Sequence, residues 1–264
     1  MVANLRQLFR HRSLIQTLVT RELKARYRGS ILGFFWSFVN PLLLLLVYTF
    51  VFSVVLPGFR GIDIEPYAVF LFCGLLPWTW FSSSLLESAN SLILNGNLIK
   101  KVLFPAEVLP VVAVVSNMVH FFLALPILAA FLLFYRVPPS LTELVWFPVL
   151  ILVQLVLALG LGLALAALTV HFRDIKDLLG NLLTLWFFAT PIIYPMSLVP
   201  EGGKVLMNLN PFAHLAISYQ EILFYDGPFG HWKWLLAVGV GALATFAAGY
   251  ALFDRLRDSF AEEV

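Results

Sequence analysis

The stretch RELKARYRGSILGFFWSFVNP, residues 21–41, sets Arg21, Lys24, Arg26 and Arg28 within eight residues and then turns apolar and aromatic. A basic segment followed by a long apolar run is how a chain enters a bilayer from its positively charged side. The whole sequence agrees with that reading. Of 264 residues, 61% are hydrophobic, 15% aromatic and only 12% charged, and mean hydropathy is +0.91. Such values lie outside the soluble range and define an integral membrane protein. Cys73 is the single cysteine and reads as a small core residue, since one thiol builds neither an internal disulfide nor a metal cluster.

Read outward from that stretch, no cleavable signal is recognisable, and residues 1–27 are expected to stay in the mature chain. A spanning helix needs roughly 20 mostly apolar residues. Six segments meet that length, at 31–56, 67–86, 108–135, 144–170, 178–196 and 232–253. Bilayers admit helices or closed barrels, and these runs lack the alternation of barrel strands, so the expected class is all-α and polytopic. The expected domains are an amphipathic cytoplasmic element at 1–30, a transmembrane domain at 31–255 with an outer region at 197–231, and a cytoplasmic tail at 256–264. Thirteen of the 17 Lys and Arg residues fall on the side of the two termini. The positive-inside rule therefore places both termini in the cytoplasm. The stretch LNPFAHLAISYQEILFY, residues 209–225, is short and interrupted by His214 and Glu221, and is expected to form a re-entrant outer helical pair rather than a seventh span.

Residues 4–27 are amphipathic at helical spacing, with Leu5, Leu8, Phe9, Ile15, Val19 and Leu23 on one stripe and Arg6, Arg10, Arg21 and Lys24 largely elsewhere. Gly29 and Ser30 then allow a sharp turn into the first span. On residue types alone this is equally a topology signal and anchor. In the first span Phe34, Phe38, Pro41, Leu45, Tyr48 and Phe52 share a face; in the fifth, Trp186, Phe187, Phe188 and Tyr194 surround Thr190 and Pro191. Aromatic faces of this kind stack on sugar rings, or pack against helices and lipid.

Asn117, His120 and Gln154 are the polar candidates at membrane depth, and there is no ionisable relay for a proton-coupled carrier. The five histidines lack metal-ligand spacing. Ser82 to Ser84 do not form a nucleophile elbow, and Gly202–Lys204 lacks the spacing of a phosphate loop, so ATP is not expected to bind this chain. A membrane-embedded transferase would need an acid or histidine constellation that is missing. Two loops, NLIKKVLFPAEVLP at 97–110 and HFRDIKD at 171–177, suit either an ordinary positive cytoplasmic connection or a surface that receives work from a partner.

Together these segments resemble the membrane subunits of type 2 ABC exporters that secrete lipid-linked polysaccharides such as O antigens, capsules and teichoic acids. The ordered set RELKARYRGSILGFFWSFVNPLL, GLLPWTWFSSSL, NLIKKVLFPAEVLP, HFRDIKD, ATPIIYP and LNPFAHLAISYQEILF carries the resemblance. It implies a permease in the bacterial cytoplasmic membrane that pairs with a second copy of itself and with two separate cytoplasmic ATPase subunits. ATP and Mg would sit on the ATPase, with no cofactor on this chain and no nucleic acid among its partners. The resemblance maps ATPase coupling onto Glu22, Lys24, Asn97, Lys100, Lys101, Phe104 and Glu107, and the entrance onto Leu32 and Gly33. It maps the channel onto Phe34, Phe38, Tyr48, Phe52, Trp186, Phe188 and Tyr194, and an outer gate onto Pro211, His214, Tyr219 and Glu221. Arg21, Arg26 and Arg28 are then placed to gather the phosphate of a lipid anchor. A type 2 ABC exporter of a drug or small lipid would share the topology.

Overall fold

Among the described residues, four helices are long and apolar enough to cross a bilayer, and they form the frame of the molecule. The structure is a computed structural model that describes residues 11–26, 28–51, 55, 64–101 and 104–263, without the side chains of Phe34, Lys101, Ala261 and Glu262. In chain order the helices are α1 (Arg12–Arg26), α2 (Trp36–Phe50), α3 (Tyr67–Leu94), α4 (Gly96–Lys101), α5 (Val108–Phe134), α6 (Phe147–His171), α7 (Ile175–Phe188), α8 (Glu201–Leu209), α9 (Pro211–Leu223), α10 (Trp232–Leu256) and α11 (Phe260–Glu263). Among the described residues there is no strand, and the all-α class stands. At 1.5 Å per residue the 28 residues of α3 rise about 42 Å, enough to cross a hydrocarbon layer of about 30 Å at a tilt.

α3 lies at the centre. Its most apolar window has the lowest hydropathy of the four membrane-length helices, 1.5, yet is 78% buried, whereas the window in α10 is 28% buried. A helix wrapped by protein needs less grease than one facing lipid. α5 and α6 flank α3, and α10 packs along α6. That last seam is closed by glycine: a Cβ at Gly160 would lie 2.6 Å from the Phe246 Cα, and one at Gly249 would collide with the Gly160 carbonyl. Small residues let membrane helices approach until their backbones touch, which replaces hydrophobic driving force with dispersion contact. α5 ends where Arg136, at φ 57°, lets Val137 N–H donate to Leu132 O at 2.9 Å, a left-handed cap that stops the helix.

Several expected boundaries move. The first span begins as a 3-10 turn at Gly33–Phe35 and becomes α-helical at Trp36, and the second continues to Leu94, eight residues past 86. The fifth changes most: α7 stops at Phe188 and residues 189–195 turn irregularly. Pro191 has no N–H to continue the ladder. Their polar backbone is met inside the protein, where Asn210 donates to Ala189 O and Gln220 to Pro191 O, each at 3.0 Å. Irregular backbone is tolerated at membrane depth when protein covers it in this way.

α1 is more than a surface anchor. Leu18 and Val19, with Leu14, Ile15 and Leu23 beside them, pack against Val108 and Val112 of α5. The expected stripe residues Leu5, Leu8 and Phe9, together with Arg6 and Arg10, lie outside the described residues, as does Phe52. At the far end, the expected tail is ordered onto the bundle: Phe260 is fully buried against Phe253, and Ser259 contacts His171 at 3.2 Å.

Candidate functional site

The basic segment at 21–28 splits its four cations between two faces. Arg21, Lys24 and Arg28 are exposed and line one open cleft of about 650 Å³ with Ser13, Thr17 and Thr20, residues that recur at three- and four-residue steps along α1. Arg26 points the other way. Its Nη2 donates to Glu87 Oε1 of α3 at 2.6 Å and its Nη1 to Asn117 Oδ1 of α5 at 3.5 Å, while Asn117 Nδ2 donates to Glu87 Oε2 at 2.7 Å. One guanidinium therefore ties three helices. A carboxylate on an apolar helix is expensive to hold without such a partner, and here it is charge-paired and doubly hydrogen-bonded. Gly29 and Gly33 adopt φ 81° and 51°, values glycine reaches without strain, and the chain turns there with Leu32 exposed.

Above this node a second cleft, of about 610 Å³, runs between α2, α3 and α5. Trp36 and Asn40 come from α2, Thr79 and Ser83 from α3, and Asn117 and His120 from α5.

Of the expected channel residues, Phe38 and Tyr48 lie on α2 and Trp186 and Phe188 on α7, two helices that each rest on α3, with α2 also against α5 and α7 also against α6; Phe34 falls in the turn before α2 and Tyr194 in the link after α7. On α2, Leu45 is buried and Phe38 and Tyr48 are half-buried, so the predicted stripe faces its own bundle. The outward face is mainly aliphatic instead, with Leu42, Leu43, Leu46 and Val47 beside Phe50. On α7, Phe188 is exposed and Trp186 is half-buried at 5.4 Å from the Phe81 ring. Tyr194 Oη donates to Phe188 O at 2.8 Å.

Among the expected coupling residues, Asn97, Lys100 and Lys24 are exposed and Glu22 is half-buried. Phe104 is half-buried between two clusters. Glu107 differs from a docking residue: only 2% of it is exposed, and Arg257 Nη1 stands 3.9 Å from its Oε1.

At the other end of the bundle α9 is almost wholly buried, with Tyr219 at zero exposure. Pro211 opens the helix at its first position, preceded by Asn210 as N-cap. The Asn210 Oδ1 accepts from Phe212 N, Ala213 N and, at 2.7 Å, Trp186 Nε1. His214 Nε2 meets Asn208 O at 3.0 Å, which makes that nitrogen the donor. A neutral His214 then accepts at Nδ1 from His231 Nε2, 2.9 Å away. Trp234 stacks on His214 at 4.3 Å and 9°. Glu221 Oε2 accepts from the Gly230 and His231 N–H groups at 3.0 Å each. Burial, with His214 alongside, lowers the His231 pKa to about 4; burial also lowers His214 and raises Glu221.

Glu87 and Asn210 were not singled out by sequence pattern. Glu87 pairs across 61 residues, which no spacing rule reaches. Asn210 did carry a signal, since Asn immediately before Pro is a helix-start signature.

A buried central helix, three membrane-length neighbours and an amphipathic entry helix clamped to them define a polytopic helical membrane protein. The chain belongs to the ABC-2 type transporter family, whose profile matches residues 13–224. It is 41% identical, over the whole of both chains, to an O-antigen export system permease of Myxococcus xanthus. Two O-antigen export system permeases of Klebsiella pneumoniae are each 33% identical across 94% of both chains.

Proposed function

We propose that this chain is the membrane subunit of an ATP-driven exporter that carries a lipid-linked, O-antigen-like polysaccharide across the bacterial cytoplasmic membrane. The observation that carries the proposal is the 41% identity to an O-antigen export permease with no part of either chain left over. Two copies would form the conduit, with six crossings per copy, α2 and α7 supplying the fifth and sixth beside the four membrane-length helices, and both termini in the cytoplasm. The free aliphatic face of α2 and the exposed face of α7 suit lipid or the second copy. Energy would come from ATP with Mg on two cytoplasmic ATPase subunits, received through α1, α4 and the turn at 171–177. The anchor phosphate would be gathered by Arg21 and Arg28 with Lys24, because Arg26 is already committed to Glu87.

Deletion of the gene tests the proposal: surface glycan is expected to vanish while lipid-linked glycan accumulates inside, and co-purification is expected to bring down an ABC ATPase. Unchanged surface glycan would reject it.

A further inference from the structure

The cleft beside the Arg26 node has a chemistry of its own. Three helices line it at helical spacing: α2 through Trp36 and Asn40, α3 through Thr79 and Ser83, and α5 through Asn117 and Phe121. Its volume, about 610 Å³, falls within the range of small-ligand sites. The lining mixes aromatic surface with amide, hydroxyl and guanidinium groups, which is the pattern of a specific site rather than of a lipid groove.

Charge narrows the ligand. Among the described residues Arg26 is the only Lys, Arg, Asp or Glu lining the cleft, and Glu87 offsets it at 2.6 Å. A phosphate entering here would face that carboxylate or have to displace it. An acyl chain would leave the Asn40 amide and the spare Arg26 N–H groups without partners. Asn40 is exposed on α2 and has no hydrogen-bond partner among the described residues. An amide in that position offers both a donor and an acceptor, and Arg26 retains N–H groups beyond those it gives to Glu87 and Asn117. The half-buried indole of Trp36 supplies a flat apolar face while its N–H is held by Ser30 Oγ at 2.9 Å. Flat face, unpartnered amide and spare guanidinium donors fit an uncharged ring bearing hydroxyls.

We infer that this cleft, within a single subunit, binds one uncharged pyranose unit of the exported glycan through Trp36, Asn40 and Arg26. It rests on the export reading, and it makes the entrance a sugar-reading station separate from the cations of the outer α1 face. A glycan could be engaged there before it reaches any passage formed between two copies.

The test is photo-crosslinking in cells that make the glycan and express the full chain with its ATPase. A p-benzoyl-phenylalanine probe replaces Leu44, which lines the cleft, or Leu243, on the exposed face of α10. After irradiation, a glycan ladder is expected on the Leu44 probe and not on the Leu243 probe. Asn40→Leu in the same chain is expected to weaken that ladder and export by roughly 2- to 10-fold, the loss of one hydrogen bond, with membrane abundance unchanged and Asn40→Gln recovering part of it. A Leu44 ladder no stronger than that of Leu243, a low-mass lipid adduct alone, or a ladder indifferent to Asn40→Leu overturns the inference. The deletion strain then separates the two readings: if its surface glycan is lost the export function stands without this site, and if its surface glycan is unchanged both fall.

Discussion

The α6–α10 seam and the α2 and α7 helices are held by opposite means. α6 and α10 meet backbone to backbone at Gly160 and Gly249, with no space for even a methyl group. α2 and α7 each press one face on the bundle and leave rows of leucine uncovered, from Leu42 to Val47 and from Leu178 to Leu185. The first arrangement has one geometry; the second tolerates others, because a helix touching protein on one side can slide against its support without opening a buried gap. The molecule thus contains a fixed frame and two elements free to be repositioned by whatever covers their other sides.

The largest effect should fall on the frame. Gly249→Val has to push α10 off α6, and is expected to destabilise the protein by about 3 kcal/mol or more, read as a collapse of folded yield and melting temperature in detergent. A normal melting temperature would remove the distinction between frame and mobile element. The clamp between α1 and the frame comes next. A double-mutant cycle on Arg26→Ala and Glu87→Ala should return a coupling of about 1–2 kcal/mol, and each single variant should lower export while leaving the ATPase bound; additive effects would show that the contact carries nothing.

A third test uses acid on the end of the bundle that holds α9. His231 stays neutral in the fold down to about pH 4, whereas an unfolded histidine takes its proton near 6.5. Between those values the unfolded state holds more protons, so stability contributed by this residue is complete above pH 6.5 and falls as pH drops towards 4. Glu221, shifted upward, acts in the opposite sense just above its usual value. The difference between the parent and His231→Asn isolates the histidine, and a difference that does not vary with pH would refute the assignment. The smallest effect belongs to the uncovered faces. Leu46→Ser or Leu182→Ser is expected to change the stability of the isolated subunit by under about 0.5 kcal/mol yet reduce pairing or export, measured by cross-linking and surface glycan.

Much of the frame was legible before any coordinates. A run of twenty apolar residues has one stable form in lipid, so the segments at 108–135, 144–170 and 232–253 fall within a few residues of α5, α6 with its leading turn, and α10. The fifth segment misled because hydropathy counts Ala189–Tyr194 as membrane-soluble, while Pro191 and the hydrogen bonds from Asn210 and Gln220 make it an irregular, protein-covered link. Charge was readable as charge but not as direction: Arg21, Arg26 and Arg28 look alike in sequence, and only the packing of Val19 and Leu18 on α5 turns Arg26 towards Glu87 and Asn117. Glu107 shows the same limit, a charged residue between apolar neighbours that the fold buries and turns towards Arg257. The aromatic stripe of the first span was real as a pattern; its buried Leu45 shows that the pattern marks the packed side of α2.

Asn210 has a mechanical meaning beyond its role as a cap. Its single carboxamide grips the end of α7 through Trp186, Ala189 and Thr190 while opening α9 through Phe212 and Ala213. The near end of α7 begins just after the charged turn at 171–177. The charged turn, α7 and the buried α9 are therefore joined in series, and a single carboxamide is the link between the last two.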